Sequence, residues 1–388
     1  MNKKILIVSP RFPYPPYKGD QLVVFNCLKY LSENYDVDLI TFGDEIDVND
    51  KKTVKQFCSN LIIVKPSKFE ILTEVIKSFF FSIPLQVAFF KSRKFEQEIK
   101  YLFENTQYDL ILPFTLRMSQ YVENQPSKKY IHLIDSMYLN MKRRYENEHG
   151  IKKIIFKYEA KIVNRYEQNL INKYDKLFVV SQIDKEIIAM DNSKLEVFPN
   201  GVNIYECKEH KNSTKKVLNL IFTGNMGYFP NENAVIWFIE NCWDIILKEI
   251  PYINFNIVGK NPSKKLKDIV VKYKNIRLIG FVESIEEEIC KADIAIAPMQ
   301  SGSGMQNKIL EAMATKTPVI TSTLGLGDIR AINKKDILVA NTPQEYLDSI
   351  IYLINKDHRT MISEAGYKYV QNNHIWSKII KEKIILGT

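Results

Sequence analysis

The sequence predicts an α/β protein built from two doubly wound, Rossmann-like parallel-sheet domains. Three observations carry that reading. Short apolar runs of strand length alternate with helical patterns along all 388 residues, the order expected of parallel sheets covered on both faces. The series starts twice, at KILIVSP near the N-terminus and again at LNLIFTG, residues 218–224. Between the two starts lies FPNGVN, residues 198–203, with the Pro-Asn-Gly chemistry of a connector. A chain of this length has room for two domains of ordinary size.

The elements follow in order. In the first domain, residues 1–200, KILIVSP is a buried strand, RFPYPPYKGD a Pro/Gly loop and QLVVFNCLKYLSEN a helix. VDLITF is the next strand, followed by a less regular, apolar-rich region to about Lys100. YDLILPF, YIHLIDS and KLFVVS are further strands. In the second domain, residues 201–373, LNLIFTG ends in GNMG and leads into the long amphipathic pattern NENAVIWFIENCWDIILKEI. NFNIVG, IRLIGFV, DIAIAP, PVITS and ILVAN are its remaining strands, and helices fill Gln344 to Asn373. Both sheets are expected to present the carboxyl ends of their strands to a common interdomain cleft, where ligands of such sheets bind.

Composition narrows the function classes. Hydrophobic residues make up 45% and charged residues 26%, a globular balance with ample core. The net charge of +9 is too evenly spread to indicate a nucleic-acid protein. One stretch, residues 141–176, holds 10 basic against 5 acidic side chains. It is a candidate for anionic lipid or phosphate, with a solvated helix face as the plain alternative. The five cysteines show no metal-ligand spacing and are expected to be reduced thiols of a cytoplasmic protein. The start, MNKKILIVSP, reads as a strand rather than a signal peptide. The apolar run SFFFSIPLQVAFF, residues 78–90, is too short to span a bilayer. The DVD at Asp36–Asp38 opens a strand, and no metal site is expected there. No Walker A, GxSxG, HExxH or dinucleotide GxGxxG pattern is present, which argues against a dehydrogenase.

The stretch SGSGMQNKILEAMATKTPVI, residues 301–320, carries the chemistry. Gly302 and Gly304 make a flexible loop whose amides can face an anion. A helix is expected over Met305–Thr315, and its N-terminus behind a glycine loop is a phosphate site. Lys308 adds a positive charge near that end. Glu311, one turn further in, can accept hydrogen bonds from the two hydroxyls of a ribose. An ordinary loop–helix–strand connection with a surface Lys and Glu is the alternative from this stretch alone.

The ordered set of motifs resembles the GT-B glycosyltransferases, specifically the retaining family 4 of bacterial surface-glycan assembly. The matching pieces are PYPPYKGD, VFPNGVN, FTGNMGYFPNENAVIWF, FNIVGK, LIGFVES, ADIAIAP and GSGMQNKILEAMATKTPVITS, in the family's order and across nearly the whole chain. The closing segment, about 374–388, resembles the helix that crosses back to the first domain in this fold. The resemblance assigns donor binding to Gly19, Gly224, Asn225, Val282, Ser303, Gly304, Met305, Gln306, Asn307, Lys308 and Glu311. It assigns the acceptor side to Arg11, Tyr17, Lys18, Asp135 and Ser136, with Lys308 and Asp135 in catalytic roles.

Departures accompany the match. Glu311 falls on the second of the family's two signature glutamates, the ribose ligand, and Ser303 on the first. Gly224-Asn225 stands in place of a Gly-Arg, and Asn231 in place of a lysine, leaving Lys308 as the cation for the leaving phosphate. Asp135 takes the place of a histidine that faces the sugar in many members, while His132 lies inside a strand and is expected to pack. The resemblance implies transfer of a sugar from a nucleotide-diphosphate sugar to a glycan acceptor, lipid-linked, with neither metal nor other cofactor. It implies a cytoplasmic protein in peripheral contact with an anionic membrane at the inner face. A nucleotide-sugar epimerase of the same build, or a non-catalytic glycan- or nucleotide-binding relative, stays open.

Overall fold

A computed structural model describes residues 3–207, 217–302 and 304–385 of the chain. The chain divides into two compact units, Met1–Pro199 with Ile380–Thr388, and Asn200–Ile379. Within the first unit β1 (Lys4–Ser9), β2 (Asp36–Phe42), β3 (Asn60–Val64) and β4 (Leu110–Pro113) form a parallel sheet in the order β3-β2-β1-β4. A second parallel sheet, β5 (Tyr130–Ile134), β6 (Lys176–Val179) and β7 (Leu195–Val197), continues it. Single parallel bridges, Ile111 to Lys129 and Phe114 to His132, tie β4 to β5. The apolar runs make these strands for a simple reason: β1 is buried at every position after Lys4, and β5 at all five, so both faces carry helices.

Two strands escape the sequence reading. β3 lies inside the region expected to be irregular, which also holds the helices Val48–Lys55, Lys68–Phe81 and Arg93–Asn105. It is only half-buried along most of its length, so its apolar residues follow a polar helix with no sharp boundary. β7 has three residues, too few to show a period.

The second unit is one six-stranded parallel sheet, order β10-β9-β8-β11-β12-β13. Its strands are β8 (Leu218–Thr223), β9 (Ile253–Val258), β10 (Ile276–Gly280), β11 (Ile294–Ala297), β12 (Val319–Thr321) and β13 (Leu338–Val339). Trp243, Phe222, Phe238, Phe255 and Tyr346 fill one layer of its core; Ile309, Leu310, Ala312 and Met313 pack the other face. Side-chain caps start the helices where the sequence leaves polar residues, including a reciprocal cap between Thr342 and Glu345.

Trp376 is fully buried and lies where any Cβ on Gly201 would collide with its ring. Val202 pairs with Ile375 as an isolated bridge. These contacts lie in the second unit, which runs to Ile379, and Ile380–Thr388 group with the first. Lys383 then reaches Glu196, 3.1 Å away.

The cysteine expectation needs correction. Cys207 and Cys290 are joined in a disulfide. Their sequence separation of 83 hid a pairing made by the fold, which sets the connector against the end of the helix Ile285–Cys290. Cys27, Cys58 and Cys242 are free thiols. Among the described residues no helix is long and apolar enough to cross a membrane.

Candidate functional site

Two places gather the residues singled out above, one in each unit. In the second unit the site is built at the carboxyl ends of β8 and β9. Gly224 and Gly259 follow these strands with φ of +154° and +149°, and a Cβ on Gly259 would lie 1.7 Å from the Gly224 carbonyl oxygen. Only glycine permits that approach. The turn after β8 is then tied down by side chains. Asn225 Oδ1 accepts from the Gly227 amide at 3.0 Å, and the Asn225 carbonyl accepts from Asn231 Nδ2 at 3.1 Å.

Asn231 links this turn to the helix Asn307–Ala314, its Oδ1 accepting from Lys308 Nζ at 2.9 Å. The ammonium also donates to Gln306 Oε1 at 2.9 Å and stands 5.3 Å from the centre of the Phe222 ring. None of these neighbours carries a negative charge. Burial therefore lowers the Lys308 pKa to about 8, opposed in part by Glu311. Glu311, one turn on, is raised to about 7 by burial and by Glu286, with Lys308 pulling the other way. Both groups thus sit near a protonation change at neutral pH, a condition found where charge is to be recognised.

The structure gathers Gly224, Asn225, Gln306, Asn307, Lys308 and Glu311 around this helix start. Asn307 Oδ1 accepts from Asn200 Nδ2 at 3.0 Å, anchoring the helix to the FPNGVN connector. Asn200 is fixed in turn by His374, whose Nδ1 meets its carbonyl at 3.0 Å. Val282 and Met305 pack on the apolar layer beneath. Gly302 and Gly304 both have positive φ, +116° and +81°, so the loop bends as a glycine loop must. Ser303 lies outside the described residues. The helix begins at Asn307, two residues later than the expectation, because Met305 and Gln306 complete the turn.

The first unit holds a cavity of about 660 Å³. Arg11, Gly19 and Asp135 line it. Arg11 Nε pairs with Asp20 at 2.8 Å. Asp135 is exposed on the cavity wall, yet the atoms crowding around it desolvate its carboxyl, which rises to about 6 with help from the nearby acids Asp184 and Asp20. Tyr17 and Lys18 are exposed on the preceding loop, and neither lines the cavity. Ser136 is fully buried: its hydroxyl donates to Glu167 Oε2 at 3.0 Å and accepts from the Leu139 amide at 3.2 Å. That geometry starts the helix Met137–Asn147 and holds the hydroxyl inside the fold. Glu167 also accepts from the Met137 amide at 2.6 Å, and burial lifts its pKa to about 7. His132 packs against Phe198, ring centres 4.8 Å apart, and burial lowers its pKa to about 3. It is a neutral core residue, as its strand position implies.

Sequence reasoning missed Arg117, Arg143, Arg144, Thr115 and Gln86, which complete the cavity wall. The pair Arg143-Arg144 sits inside the basic stretch of residues 141–176, but its face is invisible without the helix it rides on. Arg117 gives no signal, because the short helix Thr115–Ser119 follows β4 without a motif.

Comparison with known proteins now has a geometry to meet. The profile of "Glycosyl transferases group 1" matches residues 218–356, the stretch that contains β8, the connected turns and the Lys308–Glu311 helix. The second unit thus carries a group 1 glycosyltransferase profile, and the fold of the chain is that of the GT-B glycosyltransferases. It is 26% identical over 98% of its length to an uncharacterized 44.6 kDa protein in the cps region of Klebsiella pneumoniae, 99% of which is covered. It is 25% identical to the uncharacterized glycosyltransferase MJ1069 of Methanocaldococcus jannaschii, covering 98% of this chain and 97% of that one. Among solved structures, Anabaena HepE in complex with UDP and glucose superposes with a TM-score of 0.65 at 14% identity, over 98% of each chain. That likeness is one of fold. The profile thus spans the helix start and the turn after β8 in the second unit, and the first unit has a charged cavity of its own.

Proposed function

We propose that this glycosyltransferase is a retaining, metal-independent enzyme that moves a sugar from a nucleoside-diphosphate sugar to a lipid-linked glycan acceptor in surface-polysaccharide assembly. One observation carries the donor reading: among the described residues the Lys308 ammonium has only neutral hydrogen-bond partners, and it stands at a helix start behind two glycines. Departure of a nucleoside diphosphate builds negative charge on phosphate. A cation, a helix dipole and fixed amides stabilise that charge without reorganising. Glu311 takes the ribose hydroxyls, and Asp135 faces the transferred sugar or its acceptor from the first unit. In a retaining reaction the acceptor hydroxyl approaches on the leaving-group side, and the departing phosphate removes its proton. The HepE complex, which holds UDP and glucose, and the cps-region relative support a nucleotide-sugar donor and a surface-glycan product.

The membrane side of the proposal rests on an exposed face of the first unit. Ile151, Ile154, Ile155 and Tyr158 are exposed on the helix Gly150–Lys173, among the exposed Lys152, Lys153, Lys157 and Lys161. Phe69, Leu72 and Ile76 are exposed on the helix Lys68–Phe81. The two regions are linked through the Leu85 amide, which donates to Glu159 Oε1 at 2.7 Å. Apolar side chains interleaved with lysines suit the surface of an anionic leaflet.

Incubation with radiolabelled nucleotide sugars and a lipid extract tests the whole reading. Label should pass into the organic phase, with retained anomeric configuration and full activity in EDTA. Loss of activity in EDTA that Mg²⁺ restores would remove the metal-independent mechanism. Binding or epimerisation of the donor without transfer would remove the transferase itself.

A further inference from the structure

The cavity of the first unit holds more positive charge than its acids neutralise. Arg117 donates to Gln86 Oε1 from Nη2 at 2.9 Å and from Nε at 3.2 Å, and its guanidinium carbon lies 5.2 Å from the centre of the Phe90 ring. Both partners are neutral. The Arg143 guanidinium makes no hydrogen bond or ion pair among the described residues, although its charge acts on the Asp135 carboxyl. Among the described residues the Arg144 side chain is engaged by the face of Phe156 alone, 5.6 Å from its guanidinium carbon. Arg11 is the one arginine of this wall with a bonded carboxylate, Asp20, among the described residues. Its charge lies close enough to Arg117 to depress that guanidinium's pKa, after the larger effect of burial. Arg117 and Arg143 are half-buried and Arg144 is exposed; like charges gathered with only neutral contacts repel one another unless an anion joins them.

Two backbone features point the same way. Thr115 and Ile134 both line the cavity with φ in the left-handed region, +63° and +70°. For β-branched residues that conformation is strained, and such strain gathers at binding sites. Thr115 is only 5% exposed, and its Oγ1 has no hydrogen-bond partner among the described residues. A hydroxyl in that state is normally satisfied by a group the protein does not itself supply.

We propose that this cavity recognises an oxyanion of the acceptor, a phosphate or a carboxylate, through Arg117, Arg143 and Arg144, with the Thr115 hydroxyl as a further donor. That the anion belongs to an acceptor rests on the transferase reading; the anion site itself does not. Planar guanidinium forks match the oxygens of either group. A diphosphate would come from a lipid carrier, and Glu148 at the cavity edge lies two residues before the amphipathic helix Gly150–Lys173. A carboxylate would come from an acidic sugar.

Titration calorimetry on the full chain separates these sources, with inorganic pyrophosphate, methyl glucuronide and neutral methyl glucoside as probes. One anion should bind, methyl glucoside should not, and Arg117→Gln with Arg143→Gln should weaken binding by about tenfold or more. Tighter binding of pyrophosphate identifies the phosphate source, and tighter binding of methyl glucuronide the acidic sugar. Arg143→Gln alone, at a side chain without hydrogen-bond partners among the described residues, replaces the double variant should that fail to fold. Pyrophosphate binding that is lost in Lys308→Ala and untouched by the arginine variants overturns the proposal, as does failure of both anions to bind. Nucleoside-diphosphate titration is run in parallel. If it fails while an anion still binds through the arginines, the donor reading falls and the anion site stands.

Discussion

In the second unit a lone ammonium is held from three sides, by Asn231, Gln306 and the Phe222 ring. In the first, three guanidiniums share a cavity wall and meet only Gln86 and the rings of Phe90 and Phe156 among the described residues. The same sign of charge is thus presented in two manners. Lys308 is fixed before any ligand arrives, which suits a group whose work comes in the transition state, where reorganisation is costly. The arginines are placed but not satisfied, which suits ground-state recognition of something that must arrive and leave. Position on the fold explains the difference: Lys308 rides on a helix packed against the sheet, whereas Arg143 and Arg144 lie on a helix anchored by buried Glu167 at its other end.

The contrast breaks most sharply at Lys308. Lys308→Ala should lower turnover by roughly 10²- to 10³-fold, the usual scale for one fixed donor to a developing negative charge. The affinity for nucleoside diphosphate should fall much less. Equal loss of both, measured by steady-state kinetics and calorimetry, would make Lys308 a binding group like the arginines and erase the distinction.

Glu311→Gln comes next. It should weaken nucleoside-diphosphate binding by about 1.5–3 kcal/mol, the range for a hydrogen bond to a charged group. Its stability effect has the opposite sign. The folded pKa of about 7 lies above the ordinary 4.5. Stability from this group is therefore complete below pH 4.5 and is lost as pH rises through 7. Glu311→Gln should accordingly melt higher than the native protein at about pH 8 and level with it near pH 5. Equal melting temperatures at the alkaline end would show that the carboxylate is not strained by burial.

A pH profile sharpens the same comparison at smaller amplitude. The donor kcat/KM should climb as Glu311 ionises near 7 and fall above about 8 as Lys308 loses its proton. Asp135, near 6, should shape only the acidic shoulder. Asp135→Asn that leaves the profile and the turnover unchanged would remove it from the catalytic set.

How much of this was legible in the sequence follows the same division. The second unit could be read almost element by element, because its functional groups fall in short runs: GNMG after a strand, and NKILEA at a helix start. Lys308 and Glu311 lie one turn apart on one helix, so spacing alone put them together. The first unit's cavity draws on residues near 11, 86, 115, 134 and 144, and no local pattern joins such distant positions. His132 could be read as a packing residue because strand position decides burial. Nothing local to Ser136, assigned by resemblance to the acceptor side, revealed that Glu167 and the Leu139 amide hold its hydroxyl. The Cys207–Cys290 bond was hidden for the same reason as the cavity, since only the fold brings its ends together.

The smallest expected effect concerns the face beside the arginine cavity. The helix Gly150–Lys173 exposes Ile151 and Ile154 at 75% and 69%, more than a water-facing helix needs, with lysines on either side. If the acceptor's anion enters from a leaflet, this face should dock there. Each lysine near an anionic surface contributes about 1 kcal/mol, an attraction screened within a Debye length. The full chain should therefore co-sediment with anionic vesicles at low salt, weakly with neutral ones, and return to solution at high salt. Ile154→Ser removes part of the apolar contact without altering charge. It should lower partitioning by about threefold to tenfold, since an inserted aliphatic side chain is worth about 1.5–3 kcal/mol when fully buried and less at an interface. The salt dependence should stay the same, because the lysines remain. A variant that sediments like the native protein would leave charge alone as the attraction. A native protein that stays in the supernatant at low salt would remove the leaflet altogether and make a soluble acidic glycan the better occupant of the arginine cavity.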